Sequence, residues 1–253
     1  MTGQPDLGRF VVFTCVTAGY DIPLESPWAL RCPHVCFTDD PALTSATWEM
    51  RLLDGADLDP ARRSRLPKIL AHRYLPDFET SLWIDASARL LEDPVALARR
   101  ALDGADFAAP RHPRRTCAYD EIAECARRGK DAAEPLQRQA DAYRAAGLPE
   151  GAGLWEATIL VRRHHAKSVV SAMEAWWAEV TQRTRRDQVS LAFVAWRQSL
   201  AIRALPGRLD PDAPYRIRKH HHERSRGRRA WIEWSERFRR VGTRLRRRFS
   251  PGA

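Results

Sequence analysis

No apolar run in this chain is long enough to cross a bilayer or to form the core of a secretory leader; the best, Phe10 to Val16, is too short for either. The N-terminal MTGQPDLGR has no basic leader region, so a reducing, cytoplasmic location is expected. Cysteine is sparse and odd in number, five in 253 residues, which excludes a disulfide framework. Cys32 and Cys36 flank Pro33-His34-Val35, but no second pair completes a tetrahedral zinc set, so they read as buried thiols entering a strand. Lysine is rarer still, found only at positions 68, 130, 167 and 219. Basic residues are otherwise Arg, and with abundant Ala beside them part of that excess reflects GC-rich coding. There is no His-x-x-x-His zinc pattern and no Ser-His-Asp block, which argues against a lipid amidase. No internal repeat or low-complexity linker interrupts the first 223 residues.

What is present suffices for a sizeable core: 44% apolar residues and nine Trp. The formal charge of +10 is unevenly spread, because eleven Arg between Arg224 and Arg248 face only Glu233 and Glu236. Residues 1–223 therefore read as an electrically ordinary domain and 224–253 as a basic tail. In that tail Trp231, Trp234, Phe238, Val241, Leu245 and Phe249 recur every three or four positions, one stripe of an amphipathic helix. Such a helix either lies on an anionic membrane surface, at the inner face, or docks on the body. Specific nucleic-acid binding is not expected, since no recognition fold accompanies the charge.

Strand and helix patterns alternate along the body. Phe10 to Thr17 is a buried strand ending at Ala18-Gly19-Tyr20-Asp21, and His34 to Phe37 is a second ending at Thr38-Asp39-Asp40-Pro41. Thr47 to Leu53 is a third. From Asp59 a capped helix carries Leu66, Ile69 and Leu70, with Pro67 inside it. Pro94 to Leu102, Cys117 to Arg128, Glu134 to Ala146, His165 to Val180 and Asp187 to Trp196 read as helices. Asp106 to Ala109, Leu154 to Arg162, Leu200 to Leu205 and the PYRIRK segment read as strands. This alternation predicts an α/β fold whose strand ends build a site along the carboxyl edge. Thr80 to Leu91, TSLWIDASARLL, is the most informative stretch. Asp85 is a lone acid at the end of an apolar strand, costly to bury unless a cation or hydrogen-bond donors meet it; otherwise it caps Ser87 and the next turn.

The blocks FTCVTAGYD, CFTDD with Trp48 beyond it, LPKILAHRYLPDFETSLWIDAS, PRHPRRTCAYDE, GLPEGAGLWEATILVRRH, WW and RRDQVSLAFVAW, in this order, resemble a glycosyltransferase-like family of plants and bacteria, long called a domain of unknown function. Its plant members include proteins described as probable hexosyltransferases linked to seed mucilage and one described as an alkaline ceramidase. The resemblance covers about Phe10 to Trp196. It implies a GT-A-like (Rossmann-like) fold, a mixed, mostly parallel sheet flanked by helices. It also implies transfer of a hexose from a nucleotide-sugar donor, a UDP-sugar first, to a glycan or lipid-linked acceptor, assisted by Mn2+ or Mg2+.

On that resemblance Thr17, Ala18, Gly19 and Tyr20 receive the nucleotide, with Gly19 admitting close backbone approach and Tyr20 a stacking face. Asp39 faces ribose or base, unless it and Asp40 only shape a turn. Lys68 reaches the diphosphate, and Asp85 orients the cation while Ser87 donates to phosphate. GT-A enzymes place an acid-x-acid step here; in Asp85-Ala86-Ser87 the second acid is missing. Arg111 and His112 form a cationic loop suited to phosphate or an acidic acceptor. Asp187 and Glu156 are the catalytic carboxylates, with Gln188 reaching toward the donor sugar, and Asp187 competes with its own role as a helix N-cap. His222 is the expected last metal ligand beside Asp85. The missing acid keeps open a non-catalytic membrane or polyanion adaptor on a degenerate transferase fold. The ceramidase relative keeps open a lipid amidase.

Overall fold

The computed structural model describes residues 5–54 and 57–218. The basic tail, the amphipathic stripe and His222 lie outside the described residues.

Strand β1 (Phe10–Val16) is buried along its whole length, as expected of a β-branched and aromatic run at the centre of a sheet. It is followed by β2 (His34–Thr38) and β3 (Glu49–Leu52), then by helix α1 (Pro60–Ile69) and the short α2 (Ala71–Tyr74). Asp59 caps α1, accepting from the backbone N–H groups of Ala61 and Arg62, with Pro60 at the first helical position. Strands β4 (Thr80–Ile84) and β5 (Ala88–Leu90) precede α3 (Pro94–Ala101), which Asp93 caps in the same manner. Strand β6 (Phe107–Pro110), α4 (Ala118–Arg127), α5 (Ala133–Ala145), β7 (Ile159–Arg162), α6 (Lys167–Gln182), α7 (Asp187–Arg197), β8 (Arg203–Leu205) and β9 (Tyr215–Ile217) complete the order.

Seven strands form one sheet in the order β3-β2-β1-β4-β7-β6-β8, and β5 pairs with β9 in a small antiparallel ribbon. β3, β2, β1 and β4 are mutually parallel, β7 runs against both β4 and β6, and β8 is parallel to β6. The expected fold class is the one found: α/β, with a mixed, mostly parallel sheet flanked by helices. Period-two alternation along β1 divides the core. Val11, Phe13 and Cys15 join Ile69, Met173, Trp176 and Leu191 on one face, while Phe10, Val12 and Val16 join Leu97, Ala98 and Tyr215 on the other. Among the described residues no helix is long and apolar enough to cross a membrane.

The strand expected over Leu154 to Arg162 begins only at Ile159. The preceding residues lie beside the end of β6 through an isolated antiparallel bridge instead: Trp155 stands opposite Arg111, the His112 N–H donates to the Leu154 carbonyl at 2.8 Å, and the Glu156 N–H donates to the Pro110 carbonyl at 2.8 Å. Consequently the ends of β1, β2, β4 and β6 and the approach to β7 all meet at one edge of the sheet.

Just beyond β7, His164 is enclosed, its Nδ1 2.9 Å from Ser81 Oγ and its Nε2 donating to the Leu75 carbonyl at 3.2 Å. Burial, and then the neighbouring charge of Arg162, depress its pKa to about 3. Between its ordinary value near 6.5 and about 3, the unfolded chain takes up a proton that the folded chain refuses. Stability should therefore fall as the pH drops through that window, by roughly 1.4 kcal/mol per unit at its steepest. Urea denaturation across the acid range checks this, and His164→Gln should be less stable at neutral pH but show a flatter acid slope.

Candidate functional site

The edge opens into a cavity of about 650 Å³, within the range of small-molecule sites. Its first wall is the turn after β1. Ala18 and Gly19 are consecutive left-handed residues, at φ of 53° and 60°. Glycine adopts this freely, whereas alanine does so at a cost of about 1–2 kcal/mol. Asp39, at the end of β2, holds the strained turn: its carboxylate accepts from the Ala18 N–H at 2.9 and 3.1 Å and pairs with Arg63 at 2.9 Å. Thr17 is fixed by donating to the Pro60 carbonyl, and Tyr20 is left 51% exposed at the mouth. Strain at a cavity wall, retained by a dedicated carboxylate, is characteristic of binding loops.

The floor is a chain of charges in which Lys68 and Asp187 are buried and Asp85 is half-buried. Lys68, on the last turn of α1, donates to Asp187 Oδ2 at 2.7 Å and lies 3.4 Å from Asp85 Oδ1. The indole N–H of Trp83 also donates to Asp85 Oδ1, at 2.9 Å, and Lys68 sits 5.2 Å from the Trp83 ring centroid. Arg65, one turn before Lys68 on the same face of α1, approaches Asp187 at 3.5 Å. Burial would push the Asp187 carboxyl up, but Lys68 and Arg65 outweigh it and hold the group well below the usual carboxylate range. The cap of α7 is Arg186, without a side-chain hydrogen bond, so Asp187 does not cap its helix and its side chain is committed to the cavity. The indole N–H of Trp176 donates to the Asp187 carbonyl at 2.9 Å and fixes that helix start. Arg185, Arg186 and Lys130 form the basic rim, with Ser87 and Gln188 also on the walls. Cys15 lines the cavity as well, but burial pushes its thiol far above the ordinary range and leaves it inert.

Of the expected residues, Thr17, Ala18, Tyr20, Lys68, Asp85, Ser87, Asp187 and Gln188 come together on these walls. Others stand apart from them. Gly19 supplies the turn, and Asp39 braces it. Glu156 is 2% exposed, accepts from the Tyr215 hydroxyl at 2.6 Å and pairs with Arg208 at 3.1 Å, so it clamps the β9 segment to the sheet edge. Arg111 stacks on the Trp155 ring at 4.8 Å. His112 is buried: burial first, then the charge of Arg115, depress its pKa, and its Nδ1 accepts from the Arg115 N–H at 3.0 Å. Arg65 was not among the expected residues; its spacing of three from Lys68 was the available signal.

The described residues by themselves do not offer a donor set for the expected divalent cation; His222, the expected ligand beside Asp85, lies outside them. Among the described residues no cluster of three His, Cys, Asp or Glu is placed to hold a metal ion. Asp85 is a single carboxylate with one oxygen already accepting from Trp83 and facing an ammonium.

Residues 46–205, well over half the chain, match the family described as TOD1/MUCI70, glycosyltransferase-like domain. The chain belongs to the TOD1/MUCI70 family. It is 32% identical over 146 residues to the "Probable hexosyltransferase MUCI70" of Arabidopsis thaliana, a match covering 54% of this chain and 25% of that protein. It is 29% identical over 148 residues to the "Alkaline ceramidase TOD1" of the same plant, covering 54% and 32%. The chain thus spans a quarter to a third of the length of these TOD1/MUCI70 relatives. Among solved structures it is similar to the apo bifunctional glycosyltransferase WbbM (TM-score 0.48, 12% identity, 81% of this chain and 40% of that one). It is also similar to apo mouse xyloside xylosyltransferase 1 (TM-score 0.42, 9% identity, 78% and 84%).

Proposed function

We propose that this chain is a glycosyltransferase that moves a hexose from a nucleotide-sugar donor, a UDP-sugar first among them, to a glycan or lipid-linked acceptor. The observation that carries this reading is the Asp187–Lys68–Asp85 chain at the floor of a carboxyl-edge cavity whose mouth is the strained Ala18-Gly19-Tyr20 turn. Membership of a glycosyltransferase-like family supports it. The nucleoside would lie against the Tyr20 face, and the diphosphate along Lys68, Arg65 and the basic rim. In the transfer, the bond between the anomeric carbon and the diphosphate oxygen breaks with its electron pair leaving on the diphosphate. The acceptor oxygen forms the new bond to that carbon, and its proton passes to the departing phosphate. Asp187, ionised and salt-bridged, is a poor proton acceptor, and its suited task is to stabilise positive charge developing at the anomeric carbon. Catalysis on this reading is positioning and charge complementarity. The compartment proposed is the cytoplasm, with the basic tail as a peripheral contact to the inner membrane face.

A thermal-shift screen of UDP, GDP, CDP and their sugars tests the reading, because ligand that binds only the folded state must raise the midpoint. One nucleotide series should stabilise the protein, and Tyr20→Ala should weaken that shift. A folded protein that ignores every nucleotide but hydrolyses ceramide would replace this reading with the amidase named by one relative.

A further inference from the structure

The cavity's own cations occupy the place where a divalent metal would be expected to act. Five basic side chains, Arg65, Lys68, Lys130, Arg185 and Arg186, line it. Resting on the donor reading above, we infer that the donor diphosphate is neutralised here by Lys68 and Arg65, and that nucleotide binding requires no divalent cation.

Each carboxylate lining the cavity already meets a donor of the protein, Asp21 accepting from the Ile22 N–H at 3.0 Å among them. Asp187 is engaged by Lys68 and Arg65, and Asp59 by its helix cap and by Arg62 at 2.7 Å. Asp85 meets the Lys68 ammonium on the same oxygen that accepts from Trp83. A metal ion on Asp85 would sit within a few ångström of that ammonium, and the two like charges would repel. Lys68 is also held from behind, since Arg162 donates to its backbone carbonyl at 2.7 Å and thereby fixes the last turn of α1. It is a placed charge rather than a loose one, which is the condition for electrostatic stabilisation without reorganisation.

A spare donor points the same way. The Nε of Arg186, which lines the cavity, is buried and among the described residues has no hydrogen-bond partner, whereas the Nε of Arg65 lies 3.5 Å from Asp187 Oδ1. A buried, unsatisfied cationic donor is costly, and an arriving phosphate oxygen relieves that cost. In the transfer step, the negative charge that accumulates on the leaving diphosphate as the anomeric bond breaks would be met by these fixed guanidinium and ammonium groups.

The test is calorimetric titration of UDP, GDP and CDP into the full chain, first in excess chelator and then in Mn2+. The nucleotide that binds should do so with affinities agreeing within about threefold under the two conditions, and Lys68→Met should weaken it about a hundredfold in chelator. Lys68→Arg should recover much of that loss. If Lys68→Met does not fold, Arg65→Gln should still weaken binding by about tenfold. Binding that appears only with Mn2+, or a folded Lys68→Met that binds as wild type does, overturns the inference and leaves the donor reading standing. No nucleotide bound by the folded protein under either condition overturns the donor reading, and this inference with it.

Discussion

Exchanging Asp187 for Asn should lower sugar transfer by about a hundredfold to a thousandfold while nucleoside diphosphate binding is unchanged or tighter. The two effects diverge because Asp187 is an anion set beside two cations. Its charge favours a cationic transition state at the sugar but opposes the diphosphate that Lys68 and Arg65 attract. Removing it leaves Lys68 with Asp85 alone, at 3.4 Å, so some loss of stability accompanies the change. Donor hydrolysis or transfer rates, with titration of the nucleotide alone and a melting curve, separate these contributions. A parallel fall in binding and rate would assign Asp187 a structural task only.

Arg162→Ala should cost on the order of 3–5 kcal/mol of stability, read from urea denaturation. The Arg162 guanidinium is fully buried on β7, without a carboxylate partner among the described residues, and burial depresses its pKa to about 9. It donates to the Lys68 carbonyl at 2.7 Å and to the Ile69 carbonyl at 3.4 Å, closing the C-terminus of α1, where a cation also interacts favourably with the negative end of the helix dipole. Phe13 and Phe107 place their rings about it, with centroids 5.9 and 6.0 Å away. Truncation would empty that volume and orphan the two carbonyls together. Arg162→Met should recover the packing but not the hydrogen bonds, giving an intermediate loss. Because the same carbonyl anchors Lys68, nucleotide affinity should fall in both variants; full affinity in a destabilised Arg162→Met would disconnect the helix end from the site.

Much of the architecture was legible because its signals are local. The apolar run of β1, the caps Asp59 and Asp93 and the helical stripe of α6 each arise from neighbouring residues, and each element is found where its pattern lies. The divergences lie where partners are remote in sequence. Leu154 to Thr158 has strand composition, yet its pairing is an isolated bridge at Arg111 with scattered backbone bonds to Pro110, His112 and Asp85 rather than a continuous ladder. Strand β5 was not distinguished from the end of β4, since its pairing with β9 depends on residues more than a hundred positions away.

The same division runs through the site. Sequence alone determined the alternating α/β order, the solitary acid at the end of β4, the glycine that permits the turn after β1, and the family blocks, since all of these are properties of residue type and spacing. It did not determine that Ala18 shares the left-handed turn, that Asp39 braces it, or that Glu156 holds Tyr215 while Asp187 faces the cavity. Those outcomes required the tertiary structure, because a carboxylate's task is set by which cation or N–H the folded chain brings within about 3 Å of it, and in this protein those partners are 21, 59 and 119 residues away.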